Sequence, residues 1–342
     1  AHERHSTAMP TRSTNCFAAL MLAASLVACG GGGSSQPTVS FPSQTRVGTA
    51  SAGADTTVAN FPVLSGDAVE ALLSTIGGGE ALSQPLGAGR ARAAALGRWA
   101  ATRSASRVAA ASRPRAMAAL PPETLMCSNY PSGYITLTAN DADNNGVLTA
   151  GDSATISFVN CIQPAGSPAI DGSFSMVFNV LVLDAQQQPT AFDATVTMSA
   201  LTVEGLGSLD GTARLWVAPV PGAERSFVRY NDMVSRTNTL GGEKVAVLNF
   251  DVDETVTTIT LSQLNGSVQL GSDIYVVAQI TAFDTSVGDP ASGQLRITDV
   301  QGDRLVITAR GTLVDRDFFL VTNNSATSDA SIIGTPWATF KQ

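Results

Sequence analysis

Apolar and polar side chains alternate with a period of two through most of the chain beyond Gly133. Ile135, Leu137 and Ala139 are separated by Thr136 and Thr138, and Ala154, Ile156 and Phe158 by Thr155 and Ser157. The same alternation runs through Phe174, Met176, Phe178, Val180 and Val182, then Val196 and Met198, Ala213, Leu215 and Val217, and Ile259 and Leu261. It continues through Leu295 and Ile297 to Leu305, Ile307 and Ala309. Successive side chains of a strand point to opposite faces, so this pattern predicts half-buried strands. Clusters of Gly, Asn and Asp punctuate the runs at hairpin-like intervals. Residues 121–342 are therefore read as a mainly β, antiparallel domain, either a sandwich or a strongly curved, open-barrel sheet. Three short phrases, Asp171-Gly172-Ser173, Asp210-Gly211-Thr212 and Asn265-Gly266-Ser267, are each expected to introduce a strand in a meander of related hairpins.

Upstream the period changes. Residues 66–120 are rich in Ala, Leu and Arg, which favours a helical or partly disordered arm, with Gly77-Gly78-Gly79 and Pro85 separating two pieces. Arg90, Arg92, Arg98, Arg103, Arg107, Arg113 and Arg115 give this arm a local excess of positive charge, since no acid lies between Glu80 and Glu123. The β domain, by contrast, is strongly acidic. The arginines fall all round a helical wheel, so intramolecular docking onto the acidic domain is expected ahead of a flat membrane-bound helix. The acidic balance of the whole chain argues against nucleic acid as a partner.

Residues 29–65 are small, polar and proline-containing, the composition of a flexible tether. Before them, residues 9–28 run from a short polar segment with Arg12 into an apolar stretch from Cys16 to Ala28, too short to span a bilayer and laid out like a signal peptide. Residues 1–8 lie upstream of the start expected at Met9. The stretch closes on Leu26-Val27-Ala28-Cys29, which resembles the lipobox of bacterial lipoproteins. That resemblance implies acylation of Cys29, which would become the mature N-terminus, and Gly30 in the next position implies sorting to the outer membrane. Several acyl chains, each methylene contributing about 0.8 kcal/mol, make such an anchor close to permanent.

Side-chain chemistry narrows the function classes. His2 and His5 are the two histidines of the chain, both upstream of Met9, so Ser-His and Cys-His nucleophiles and histidine-ligated zinc or copper sites are not expected in the mature protein. Lysine occurs only at Lys244 and Lys341. Cys16 leaves with the signal and Cys29 takes lipid, which leaves Cys127 and Cys161 to pair in an oxidising compartment. Closing that loop contributes roughly 3 to 4 kcal/mol in the chain-entropy picture.

One segment carries metal chemistry. Asp141-Ala142-Asp143-Asn144-Asn145-Gly146-Val147-Leu148-Thr149-Ala150-Gly151-Asp152 places oxygen side chains at Asp141, Asp143 and Asn145, then a glycine for the turn, an apolar residue at Leu148 and a closing carboxylate at Asp152. The spacing resembles an EF-hand calcium loop. The resemblance implies Ca2+ held by Asp141, Asp143, Asn145, the Val147 carbonyl, Thr149 and Asp152. Two departures stand out: Asp152 takes the place of a bidentate Glu, and the flanks read as strands where an EF-hand has helices. A calcium-stabilised hairpin loop of modest affinity is expected, against the alternative of an Asn-Gly turn without metal. A second acidic run, Asp251, Asp253 and Glu254, lacks the glycine and the spacing and is read as a solvated turn.

Taken together, the Cys29-glycine tether, the Ala/Arg arm, the loop ending in Gly151-Asp152-Ser153, the strand ending at Cys161 and the phrase Ser292-Gly293-Gln294-Leu295-Arg296-Ile297 resemble β-rich lipoproteins of proteobacteria that have no established activity. That group implies an envelope location. A non-enzymatic outer-membrane lipoprotein for envelope structure, adhesion or partner binding is the leading expectation. The alternatives are a carrier enclosing a lipid or other apolar ligand and a carboxylate-pair glycan hydrolase, the latter short of aromatic walls because only Trp216 and Trp337 fall in the β domain.

Overall fold

A computed structural model describes residues 37–69, 71–72, 93–111, 120–127, 133–162, 169–186, 188–204, 207–239, 242–286, 289–322 and 325–340. The expected signal peptide, Cys29 and Arg90, Arg92, Arg113 and Arg115 lie outside the described residues.

Period-two alternation becomes a single antiparallel sheet. Its strands are β1 (Glu123–Met126), β2 (Tyr134–Asn140), β3 (Ser153–Cys161), β4 (Ile170–Leu183), β5 (Pro189–Val203), β6 (Gly207–Val220) and β7 (Ala223–Thr239). They continue as β8 (Gly242–Val256), β9 (Thr260–Leu270), β10 (Asp273–Asp284), β11 (Ser292–Thr298), β12 (Arg304–Arg310), β13 (Leu313–Thr322) and β14 (Ser325–Pro336). Spatial order follows chain order throughout. Among the described residues β1 pairs only with β2 and β14 only with β13, so the sheet is open, and no second sheet faces it as a sandwich requires.

One face of the sheet is apolar. Leu137, Ile156, Phe174, Phe178, Leu215, Leu248, Phe250, Ile297, Ile307 and Phe318 are all buried on it. Covering this inner face are helices from the N-terminal part of the same chain. Helix α1 (residues 61–69) puts Phe61 on Phe318 with ring centroids 5.9 Å apart, and its Pro62 carbonyl accepts from Arg316 at 3.0 Å. Helix α2 (Ala93–Ala111) buries Leu96, Ala100, Ala101, Ala105 and Val108, the spacing of one helical face. Small residues let it sit close. A Cβ added at Gly97 would come within 2.9 Å of Leu215 and 3.3 Å of Phe192. The apolar residues of both helices and the strands form one continuous core, and a short helix α3 (Trp337–Phe340) adds Trp337, whose ring nitrogen donates to the Gly311 carbonyl.

The arginines of α2 lie on its two flanks and meet acids of the sheet, as docking of the basic arm requires. Arg98 pairs with Glu224 at 2.7 Å, while Arg103 reaches Glu123 at 2.5 Å and Arg107 donates to the carbonyls of Leu137 and Pro121. The arm's first helix begins at residue 61, within the stretch read as tether. Residues 37–57 have the irregular backbone that their composition suggests, yet they are fixed to the sheet.

Bulges interrupt the sheet at two of the Gly-containing phrases expected to introduce strands. Gly172 and Gly211 lie inside β4 and β6 with φ of 98° and 134°, where register shifts interrupt the ladders. Gly172 fits against the carbonyl of Ala200, which a Cβ would approach to 2.1 Å. Facing these sites, Asn160, Ala200 and Asp232 adopt left-handed φ of 42°, 46° and 49°. Their backbone N–H groups donate to Asp171, Asp210 and Asn249 respectively. Each acidic-Gly phrase thus terminates the normal pairing of a neighbouring strand, and bulges bend and twist a sheet. Gly266 in β9 belongs to the same pattern only in part: it lies in continuous pairing with Phe250, close against that residue's backbone.

The disulfide Cys127–Cys161 forms as expected, with Cα atoms 5.5 Å apart. It ties the end of β1 to the end of β3 across the start of β2. Gly133 occupies that crossing, and a Cβ there would lie 2.1 Å from the Asn160 carbonyl oxygen.

Candidate metal centre

The loop from Asp141 to Asp152 joins β2 to β3, two strands in full register from Tyr134↔Val159 to Asn140↔Ser153. Its backbone must fold back sharply over a short distance. Asn144, Gly146 and Gly151 supply this with positive φ of 55°, 77° and 95°. Leu148 is buried and anchors the loop in the core, while Gly151 donates to the Phe178 carbonyl and Phe178 donates to that of Asp152, at 2.7 and 2.9 Å.

Within this frame the carboxylates converge. Asp141 accepts from the backbone N–H groups of Asn145 and Gly146, at 3.2 and 2.8 Å. Asp152 accepts from those of Ala142 and Thr149, at 2.7 and 2.6 Å, and from the Thr149 hydroxyl at 3.2 Å. Oxygens of Asp141, Asp143 and Asp152 all lie within 4.8 Å of one another, the first and last buried and Asp143 exposed. Such a set offers hard oxygen donors of the kind calcium prefers, with an open side for water.

Asn145 and Thr149 stand at the rim. The Asn145 amide donates to Asp143 at 2.7 Å and lies 3.5 Å from the Thr149 hydroxyl, while its oxygen accepts the Val147 N–H at 2.7 Å. Three of the predicted ligands are therefore assembled into one cluster, with Asn145 and Thr149 bonded to its members and Val147 bonded to Asn145.

The second acidic run behaves otherwise than read. Asp251 and Asp253 lie within β8, not in a turn, and are paired bidentately with Arg229 and Arg225 at 2.6 to 2.9 Å. These pairs occupy the outer face beside Trp216 and Phe227, and the chain's own residues 41–46 cover them. Phe41 stacks on Arg225, Gln44 accepts from Arg229, and the Arg46 N–H donates to Asp251 at 2.6 Å. Burial under this strap, and not solvation, explains the acids. Glu254 points to the inner face, where it meets the hydroxyls of Ser226 and Ser262.

A further group of carboxylates, unmarked by any sequence motif, gathers Asp55, Asp299 and Asp303 within 4.8 Å of one another. Asp299 and Asp303 border the short β11–β12 turn and are buried, whereas Asp55 belongs to the N-terminal segment and is exposed. Burial pushes the Asp299 carboxyl above its usual range, and the negative charge of Asp303 adds to this, against the lowering effect of N–H bonds from Thr56 and Asp303 and of the adjacent Thr56 hydroxyl.

A cleft of about 380 Å³ opens at the sheet end between α1 and the β9–β10 turn, lined by Asp67, Ala71, Lys244, Val245 and Leu270, with an Asp67–Lys244 ion pair across it. No protein-family model, curated protein or solved structure matches the chain.

Proposed function

We propose that this protein is a non-enzymatic lipoprotein of the bacterial outer membrane, anchored through Cys29, whose β domain is stabilised by calcium in the Asp141–Asp152 loop and serves envelope structure, adhesion or partner binding. The observation that carries the calcium part is the convergence of Asp141, Asp143 and Asp152 on one point, two of them buried, in a loop whose glycines and Leu148 hold it in place. Backbone N–H groups steady the carboxylates, but they leave three like charges close together. A divalent cation removes that repulsion and raises stability with the logarithm of its free concentration once that exceeds its dissociation constant.

The carrier reading asks for an accessible apolar concavity. Here α1 and α2 supply the apolar occupants of the inner face, which favours the structural and partner-binding reading. The outer face and the open edges at β1 and β14 are the surfaces left for partners.

Thermal unfolding of the full chain with millimolar calcium and then with chelator tests the reading. The midpoint rises with calcium in the native sequence and rises measurably less in Asp143→Asn, a variant that alters an exposed side chain and leaves the buried loop intact. Equal midpoints with and without calcium in the native chain would remove calcium from the account. Anchoring is read separately, by fractionation: Cys29→Ser moves the protein from the membrane to the soluble fraction, and continued membrane association of that variant contradicts lipid attachment.

A further inference from the structure

The N-terminal segment passes from the outer to the inner face around the end of the sheet. After the strap over β7 and β8, Ser51 exchanges hydrogen bonds with Ile274, its N–H donating to the Ile274 carbonyl at 3.0 Å and its Oγ accepting the Ile274 N–H at 2.9 Å. It does so along β10 beyond the point where β11 ends, the first β10–β11 partners being Val276 and Thr298. The chain then reaches the β11–β12 turn, where the Thr56 N–H donates to Asp299 Oδ2 at 2.7 Å. Asp299 Oδ1 accepts the Asp303 N–H at 2.9 Å, and Asp303 accepts the Val321 N–H at 2.7 Å.

Two features show that this junction is incomplete as a purely protein structure. Among the described residues no ion pair reaches Asp55, Asp299 or Asp303, although buried acids elsewhere, Asp193 and Asp251, each hold an arginine. Second, the Thr56 hydroxyl is buried, 1% exposed, and lies against the Asp299 carboxylate without a hydrogen bond of good geometry to it or to any other group. A buried hydroxyl is costly without a partner. A cation among the three carboxylates would accept that oxygen as a further ligand and balance the charge at the same time.

We propose that Asp55, Asp299, Asp303 and the Thr56 hydroxyl bind a hard divalent cation of the calcium type, which clasps the N-terminal segment to the β11–β12 turn. The donor set is all oxygen, as such ions require. Three carboxylates and one hydroxyl leave room for water on the exposed Asp55 side. The site joins segments more than two hundred residues apart, so the ion acts as a clasp where the helices enter the inner face. This site stands independently of the Asp141–Asp152 loop.

Terbium, a luminescent substitute for calcium, gives a direct test in the full chain, because Tyr275 provides a nearby sensitiser: its phenol oxygen meets the backbone N–H of Asp55. Tyrosine-excited terbium emission that calcium competes away is expected in the native chain. Asp55→Asn weakens it at least tenfold, and this variant spares the fold because the Asp55 carboxylate is exposed. Tyr275→Phe removes the emission while calcium binding measured by calorimetry persists, and Asp143→Asn leaves the emission unchanged. The proposal is overturned if the native chain gives no calcium-competed emission, if Asp55→Asn binds as the native chain does, or if Asp143→Asn is the variant that abolishes the signal.

Discussion

Among the described residues two groups of three carboxylates converge, and they are built in opposite ways. Asp141, Asp143 and Asp152 come from one short loop between adjacent strands, and the groups that hold their carboxylates are local, the N–H groups of Ala142, Asn145, Gly146 and Thr149, with Phe178 of β4 bonded to the loop backbone. Asp55, Asp299 and Asp303 meet only because an N-terminal segment crosses the end of the sheet and docks on a distant turn. The first cluster is therefore set by its own loop, and the second by the docking of the N-terminal segment on the β11–β12 turn.

Several measurements would break or sharpen this contrast. The largest effect belongs to the covalent brace at the end of β2 and β3 opposite the loop: replacing Cys127 and Cys161 together with alanine lowers stability in urea unfolding by about 2 to 5 kcal/mol. A loss below about 1 kcal/mol would mean that β1 is held by the ladder alone. Next come changes on the long-range side, measured in chelator. Asp299→Ala strands the N–H groups of Thr56 and Asp303 and costs about 1 to 3 kcal/mol, whereas exposed Asp143→Ala stays within about 0.5 kcal/mol. Equal losses at the two positions would erase the distinction. Gly97→Leu, which forces a side chain into the seam between α2 and the sheet, costs about 1 to 3 kcal/mol by overpacking.

The smallest effect is electrostatic. The Arg103 hydrogen bond holds the Glu123 carboxyl below its usual range, with Arg103 and Arg107 charges adding to it and partial burial opposing. Its contribution is therefore complete above the unfolded glutamate pKa of about 4.3 and is lost as pH falls through the lower folded value. Glu123→Gln should flatten the acid limb of the stability curve by under about 1 kcal/mol, the scale of an accessible ion pair. An unchanged acid limb would show that the arm is seated by its alanines alone.

The same divide explains what was legible in the sequence. Strand positions, the antiparallel class, the disulfide and the carboxylates of the loop depend on neighbours or on few candidates, and period-two alternation, cysteine number and the Asp-x-Asp-x-Asn-Gly spacing expose them. The bulges were misread because Asp-Gly is also a turn signal. Only pairing with Asn160 or Ala200 on the next strand tells the two apart. Asp251 and Asp253 looked solvated because their arginines and the strap over them arrive from elsewhere in the sheet and from residues 41–46. Residues 37–57 have tether-like composition, and nothing in it announces that Ser51, Thr56 and Arg46 each find a specific partner.

Calcium titration of the full chain by calorimetry tests the central claim most directly, that the Asp141–Asp152 loop is a cation site. The native chain should release or absorb heat in a saturable binding step that Asp143→Asn removes, while any step belonging to the Asp55 cluster survives in that variant. A binding curve for Asp143→Asn that superimposes on the native one would contradict it.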